Sequence, residues 1–145
     1  MNDERELWIR PSARPWWGAL VLVGVIGSLL GLSACGGAGA VAQTAQTARY
    51  SVQISVEGAR IGNGAATIDV RDAAGQPATI DGVVVAPLMR NMGMASPEVA
   101  AQQVAPGRYR AEGITFSMAG DWELDVRVAA GDSEDVATFK LAISE

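Results

Sequence analysis

Apolar and polar residues alternate along most of the second part of the chain. The stretch DWELDVRV shows the pattern most clearly, with an apolar residue at every second position from Trp122 to Val128. A period of two residues is typical of a β-strand that buries one face. Seven segments show this alternation or a weaker form of it; they are 50–57, 66–71, about 79–86, about 99–104, about 108–113, 121–128 and 137–144.

Turn-forming residues separate these segments. DAAGQP (72–77) combines an aspartate that can bond its own backbone with a glycine that can take positive φ, and Pro106-Gly107 forms a second break. Seven short strands in about 100 residues predict an all-β domain over 49–145, an immunoglobulin-like antiparallel β-sandwich. The residues expected in its core are Tyr50, Val52, Ile54, Ile68, Val70, Tyr109, Trp122, Leu124, Val126, Phe139 and Leu141.

The beginning of the chain has a different pattern. Residues 1–15 contain arginines, 16–34 carry no charge, and Cys35 follows Leu32-Ser33-Ala34. This order is typical of an export signal, and the junction resembles the lipobox of bacterial lipoproteins. We therefore expect 1–34 to be a lipoprotein signal peptide and Cys35 to be lipidated.

The alternative is an uncleaved membrane anchor, because the uncharged segment is about long enough to span a bilayer as a helix. Either way, the domain is expected to be membrane-anchored and extracytoplasmic, at the periplasmic face or the cell surface. Residues 36–48, GGAGAVAQTAQTA, lack charge, aromatic residues and apolar period, so 35–48 is predicted to be the lipidated cysteine and a flexible linker.

Composition excludes several function classes. Thirteen acidic and eight basic residues follow Cys35, a net charge of −5, so a nucleic-acid partner is not expected. The chain has no histidine and its predicted domain has no cysteine, which removes the Ser-His-Asp and Cys-His triads and the usual zinc sites. Asp121, Glu123 and Asp125 are predicted on the solvent face of a strand, so we do not expect an enzyme. GDSEDV (131–136) is interpreted as an acidic hairpin tip, and Asn63-Gly64 as a hairpin-turn signal.

Three longer stretches resemble a known family. IGNGAATIDVRDAAGQPA, APLMRNMGM and GRYRAEGITFSMAGDWELDVRV follow one another as in the YtkA-like (FixH-related) domain, over roughly residues 50–130. There a Met-Pro-x-Met-Gly-Met or -His segment precedes a Gly-x-Tyr strand and a Met-x-Gly-x-Trp-x-Leu strand. Here Arg90 stands in place of the usual proline and Met94 in place of the frequent histidine. The resemblance implies an extracytoplasmic sandwich often found near copper or cytochrome oxidase assembly functions.

Four methionines follow the initiator, and Met89, Met92 and Met94 cluster around Gly93. Thioether sulfur is a soft, neutral ligand, so a group of two to four selects Cu(I) over harder ions. Met92 and Met94 are two apart, which places both side chains on one side of an extended segment, and Gly93 between them lets the backbone turn. Because a core segment would seldom interleave its apolar residues with Arg90 and Asn91, this group is expected at the surface.

Met118 is expected to reach the cluster from another strand together with Trp122, whose ring would cap a bound cation. Core packing of Met118 against aromatic neighbours is an equally open interpretation. Two hypotheses follow. The first is a lipid-anchored protein that binds or delivers Cu(I) through Met89, Met92, Met94 and Met118. The second is a non-catalytic interaction module that docks the methionine segment on a membrane or oxidase-assembly complex.

Overall fold

The computed structural model describes residues 40–145 as nine antiparallel strands with one 3₁₀ turn between the fourth and fifth. The predicted signal peptide and Cys35 lie outside the described residues. No helix within 40–145 is long and apolar enough to cross a membrane. The strands are β1 (Val41–Gln46), β2 (Ser51–Glu57), β3 (Gly62–Arg71), β4 (Gly82–Met89), β5 (Met94–Ala95), β6 (Val99–Ala105), β7 (Arg108–Phe116), β8 (Gly120–Ala130) and β9 (Ser133–Ile143), and the 3₁₀ turn is Arg90–Met92.

Seven of these strands correspond to the seven segments predicted from alternation. They pair in the orders β2-β3-β7-β6 and β4-β8-β9, which are the ABED and CFG orders of an immunoglobulin-like sandwich. β6 joins the two sheets, because Val99–Ala101 pair with β4 whereas Gln102 and Gln103 pair with β7. The predicted all-β sandwich is therefore confirmed, with β1 and β5 as additional strands.

The prediction of a flexible linker is wrong from Val41 onward. β1 pairs with β2 along its whole length, from Val41 opposite Val56 to Gln46 opposite Ser51, so the folded domain begins before residue 49. The side-chain amide of Gln43 also donates a 2.5 Å hydrogen bond to the carbonyl oxygen of Lys140 in β9. β1 lacks an apolar period because it lies on the surface and is held through its backbone ladder.

Two further predictions need correction. The third predicted strand is displaced by about three residues, since β4 runs from Gly82 to Met89. Asn63-Gly64 is not a hairpin turn but part of β3. Other parts of the chain pack closely against the backbone of Gly64. A Cβ on Gly64 would lie 2.9 Å from the carbonyl oxygen of Glu57 and 3.1 Å from the Phe116 ring, so packing requires the glycine.

The other predicted turns are confirmed. Asp72 accepts two 2.9 Å hydrogen bonds from the backbone amides of Ala74 and Gln76, and Gly75 has a φ of 76°. The acidic segment after β8 is a hairpin tip, where Ala130 and Ser133 are opposite each other.

Burial follows the predicted alternation. Ten of the eleven residues predicted for the core are buried, and only Tyr50 is half-buried at its margin. In β8, Trp122, Leu124 and the two valines at alternate positions face the core between the sheets, whereas the acidic residues between them face outward. Removal of these apolar side chains from water is the main stabilising contribution to such a fold.

A hydrogen-bonded ion pair fixes the bend between β1 and β2 to the start of β9. The carboxylate of Asp135 accepts hydrogen bonds from the Thr47 hydroxyl at 2.6 Å, from the Arg49 backbone amide at 3.1 Å and from the Arg49 guanidinium at 2.9 Å. The hydrogen bond from Thr47, followed by the interaction with Arg49, lowers the pKa of Asp135 below its ordinary value of 3.8. The charged form is therefore favoured by folding.

This pKa shift predicts a pH-dependent contribution to stability. Because the folded pKa is depressed, the stabilisation is present above about pH 4 and is lost as the pH falls through the folded pKa. Asp135→Asn should lower the thermal midpoint at pH 7, and the difference from wild type should shrink toward pH 2. Asp69→Asn, which removes the exposed ion pair with Arg108, is the control and should change the midpoint little. A difference for Asp135→Asn that stays constant over this range would contradict the assignment.

Candidate metal site

The four methionines lie at one end of the sandwich, where β4 ends and β8 begins. Met89 is the last residue of β4, Met92 ends the 3₁₀ turn and Met94 begins β5. We call residues 89–94 the methionine loop. Met118 lies in the turn between β7 and β8, and not on a strand as the sequence suggested.

The two ends of the methionine loop are opposite each other in a short hairpin. Met89 and Met94 are direct cross-strand partners, so their Cβ atoms are expected about 5 Å apart on the same face of the ribbon. Gly93 has a φ of 64°, and its amide donates a 3.2 Å hydrogen bond to the carbonyl oxygen of Arg90. This left-handed glycine confirms the predicted backbone turn.

The same turn overturns one expectation about side-chain direction. Met92 and Met94 do not share one side of an extended segment, because Met92 belongs to the 3₁₀ turn and the chain reverses at Gly93 before Met94 enters β5. A spacing of two places side chains on one side only where the backbone stays extended. Met92 is the most exposed of the four, with 59% of its surface accessible.

Met89 differs from the other three methionines because it is buried. Only 2% of its surface is accessible, whereas Met94 and Met118 are 38% and 37% exposed. The surface position predicted for the whole group is therefore wrong for Met89, which packs into the core as the end of a buried strand. A Cβ on Gly120 would lie 3.2 Å from the Met89 methyl carbon, so Met89 lies against the start of β8.

Trp122 holds the turn that carries Met118. Its indole N–H donates a 3.1 Å hydrogen bond to the Met118 carbonyl oxygen, and its ring packs edge-to-face on Phe116 with centroids 5.5 Å apart. Trp122 is only 1% exposed, so it belongs to the core at this end of the sandwich. Whether its ring also caps a bound cation stays a prediction.

Arg90, at the start of the 3₁₀ turn, fastens the methionine loop to the outer face of β8. Its guanidinium donates hydrogen bonds to Glu123 and, at 2.7 Å, to Asp125. The Thr138 hydroxyl of β9 donates a 2.6 Å hydrogen bond to the other oxygen of Asp125. The hydrogen bond to Glu123 and the charge of Asp125 raise the pKa of Arg90.

The predicted outward direction of the β8 carboxylates is thus confirmed, but the sequence analysis missed their partner. Glu123 and Asp125 are half-buried rather than fully solvated, because the Arg90 side chain covers them. A usable signal was present in the sequence. Arg90 is the single charged residue in APLMRNMGM, and a strand with regularly spaced carboxylates is a natural partner for it.

An open groove of about 530 Å³ runs beside the methionine loop. It is lined by Arg90 and Asn91, by residues 121–123 of β8 and by residues 140–142 of β9. No group of three or more histidine, cysteine, aspartate or glutamate side chains within residues 40–145 is placed to hold a metal ion. The soft donors at this end are the thioethers.

Comparison with known proteins gives one finding. The family model described as YtkA-like matches residues 44–127, more than half of the chain and a range that contains both methionine segments and Trp122. The match starts inside β1, in agreement with the earlier start of the folded domain. No curated protein and no solved structure matches the chain.

Substitutions of Trp122 can separate the contribution of its core packing to stability from the contribution of its indole hydrogen bond to the order of the Met118 turn. Trp122→Ala should lower the free energy of unfolding by about 3–5 kcal/mol, because it leaves a cavity in the core. Trp122→Phe keeps much of the apolar volume and should cost less, yet it removes the donor to Met118. Amide exchange of residues 117–120 should therefore be faster in Trp122→Phe than in wild type. Equal exchange in both proteins would show that the indole hydrogen bond does not order the turn.

Proposed function

The chain belongs to the YtkA-like family, and we propose that it is a lipid-anchored extracytoplasmic protein that binds or delivers Cu(I) through Met89, Met92, Met94 and Met118. The observation that supports this proposal is that two methionine segments distant in sequence lie at the same end of the sandwich. Met89 lies against Gly120, and Met118 is held two residues before that glycine by its hydrogen bond with Trp122.

The donor chemistry supports Cu(I) as the cargo. Thioethers are neutral and soft, and they need no deprotonation, so they favour Cu(I) over Cu(II), Zn(II) and calcium. Met89 and Met94 are register partners on one face of the hairpin, which gives two sulfurs from adjacent backbone positions. Met118 supplies a third from the neighbouring turn, and Met92 a fourth from the most exposed position of the loop.

The exposure of the site fits a carrier better than a reaction centre. Three of the four methionines are more than a third exposed, so a bound ion can be passed to another protein without unfolding of the domain. We propose no catalytic role. The partner would be a copper-handling or oxidase-assembly protein of the same membrane, as the family resemblance implies.

A second candidate function rests on the same exposure. Met92, Met94 and Met118 are flexible apolar side chains at the surface, and methionine-rich surfaces adapt to protein partners. In that case the methionine loop and the neighbouring groove dock onto a membrane complex without metal. Retention of Cu(I) separates the two functions.

The metal proposal predicts a sulfur-dependent affinity. Under reducing, anaerobic conditions the domain should retain one equivalent of Cu(I) against a mild competing chelator, with Trp122 fluorescence quenched and little effect from Zn(II). Changing Met92, Met94 and Met118 together to leucine should abolish retention. The fold should survive because leucine nearly conserves the volume and all three positions are exposed.

Met89→Leu is the matched control for the core position. It removes one thioether from a buried site and should weaken retention without abolishing it, at a cost usually below about 1.5 kcal/mol. If the exposed triple variant keeps Cu(I), or wild type keeps none, the metal proposal fails and the docking function takes its place.

The anchor is tested separately, since Cys35 lies outside the described residues. Processing at Leu32-Ser33-Ala34-Cys35 would remove 1–34 and leave acyl chains on Cys35, each methylene contributing about 0.8 kcal/mol to membrane binding. Cys35→Ser should release the protein from the membrane or leave it unprocessed. A wild-type intact mass that corresponds to the full chain without lipid would support the spanning anchor instead.

A further inference from the structure

Few contacts hold the part of the methionine loop that follows the buried Met89. β5 has two residues, the 3₁₀ turn has three, and none of the residues of that turn is buried. Apart from the β4–β5 pairing, the backbone bonds here are the 3.2 Å bond from Gly93 to Arg90 and a 3.0 Å bond from the Ser96 amide to the Pro87 carbonyl oxygen. Neither of these reaches β8 or β9.

The Arg90 side chain connects this part of the loop to β8. Its planar guanidinium spans two carboxylates on alternate positions of β8, and one of them is itself held by Thr138 of β9. The carbonyl oxygen of the same residue accepts the hydrogen bond that closes the turn at Gly93. Arg90 therefore connects the start of the turn directly to β8, through Asp125 to β9, and through its carbonyl oxygen to the end of the turn.

From this geometry we infer that Arg90 is the positioning residue of the methionine loop, an inference that rests on the proposed function for its metal readout. Exposed ion pairs contribute little to global stability, and 55% of the Arg90 side chain is accessible. Their effect is expected on local order instead. A loop already held in its binding conformation loses less conformational freedom when it takes a ligand, so affinity rises.

Arg108 provides a matched control. It forms a two-bond pair with Asp69 between β7 and β3, with a side chain 52% exposed, but it lies at the start of β7, whereas the methionine loop lies near the end of that strand, where β7 leads into the Met118 turn. Arg90→Gln and Arg108→Gln remove the same charge from similarly exposed pairs. Arg90→Lys keeps the charge but replaces the two-pronged guanidinium with a single ammonium, so it should restore only part of the effect.

The test measures amide exchange in the metal-free domain and Cu(I) affinity by chelator competition. Arg90→Gln should speed exchange at residues 91–94 and weaken Cu(I) binding about three- to tenfold, the size expected for one or two exposed ion pairs. Arg108→Gln should change neither quantity. The thermal midpoints of the two variants should be similar, and high salt should speed loop exchange in wild type more than in Arg90→Gln.

The outcomes separate the inference from the proposed function. Unchanged exchange at residues 91–94 in Arg90→Gln would overturn the inference, whatever the metal does. Faster exchange in Arg90→Gln with an unchanged affinity for Cu(I) would show that Arg90 orders the loop but does not affect metal binding. A wild-type domain that retains no Cu(I) would refute the proposed function, and faster loop exchange in Arg90→Gln would then still assign Arg90 to the ordering of the loop.

Discussion

The two-sided character of β8 is the constraint on which the rest of the structure depends. One face buries Trp122 and the alternate apolar residues between the sheets, and the other presents Glu123 and Asp125 to Arg90. β8 also pairs with β4 on one side and β9 on the other. A shift of one residue in this register would expose the core residues and bury the carboxylates, so the core and the position of the methionine loop are fixed together.

This coupling also positions the methionines of the proposed Cu(I) site, in a folded domain (residues 40–145) that contains no cysteine or histidine. Met89 belongs to the core, Met92 ends the exposed 3₁₀ turn that follows it, and the left-handed Gly93 brings Met94 back to pair with Met89. Met118 is held from the other side through the Trp122 indole. Core packing thus supplies rigidity to a surface whose own residues contribute few buried contacts.

Sequence reasoning located the seven immunoglobulin-like strands because half-buried strands carry their burial in a period of two. It missed β1, since VAQTAQ is held by backbone pairing with β2, and the bend that follows it by Asp135, a residue far along the chain that no local pattern indicates. It placed Met89 at the surface because Arg90 and Asn91 follow it, yet burial ends only after Met89. The Arg90 contacts depend on the pairing of β4 with β8. The register of two strands far apart in sequence cannot be predicted from the residues of one loop.

The central claim is that thioether sulfurs from two segments converge on one Cu(I) ion, and X-ray absorption at the copper edge tests it most directly. The anaerobic, Cu(I)-loaded domain should show a first shell made of sulfur alone, with three or four scatterers. Replacing Met118 by leucine should lower that number by one, because Met118 comes from the separate turn before β8. A first shell dominated by nitrogen or oxygen, or a sulfur count unchanged by Met118→Leu, would contradict the account.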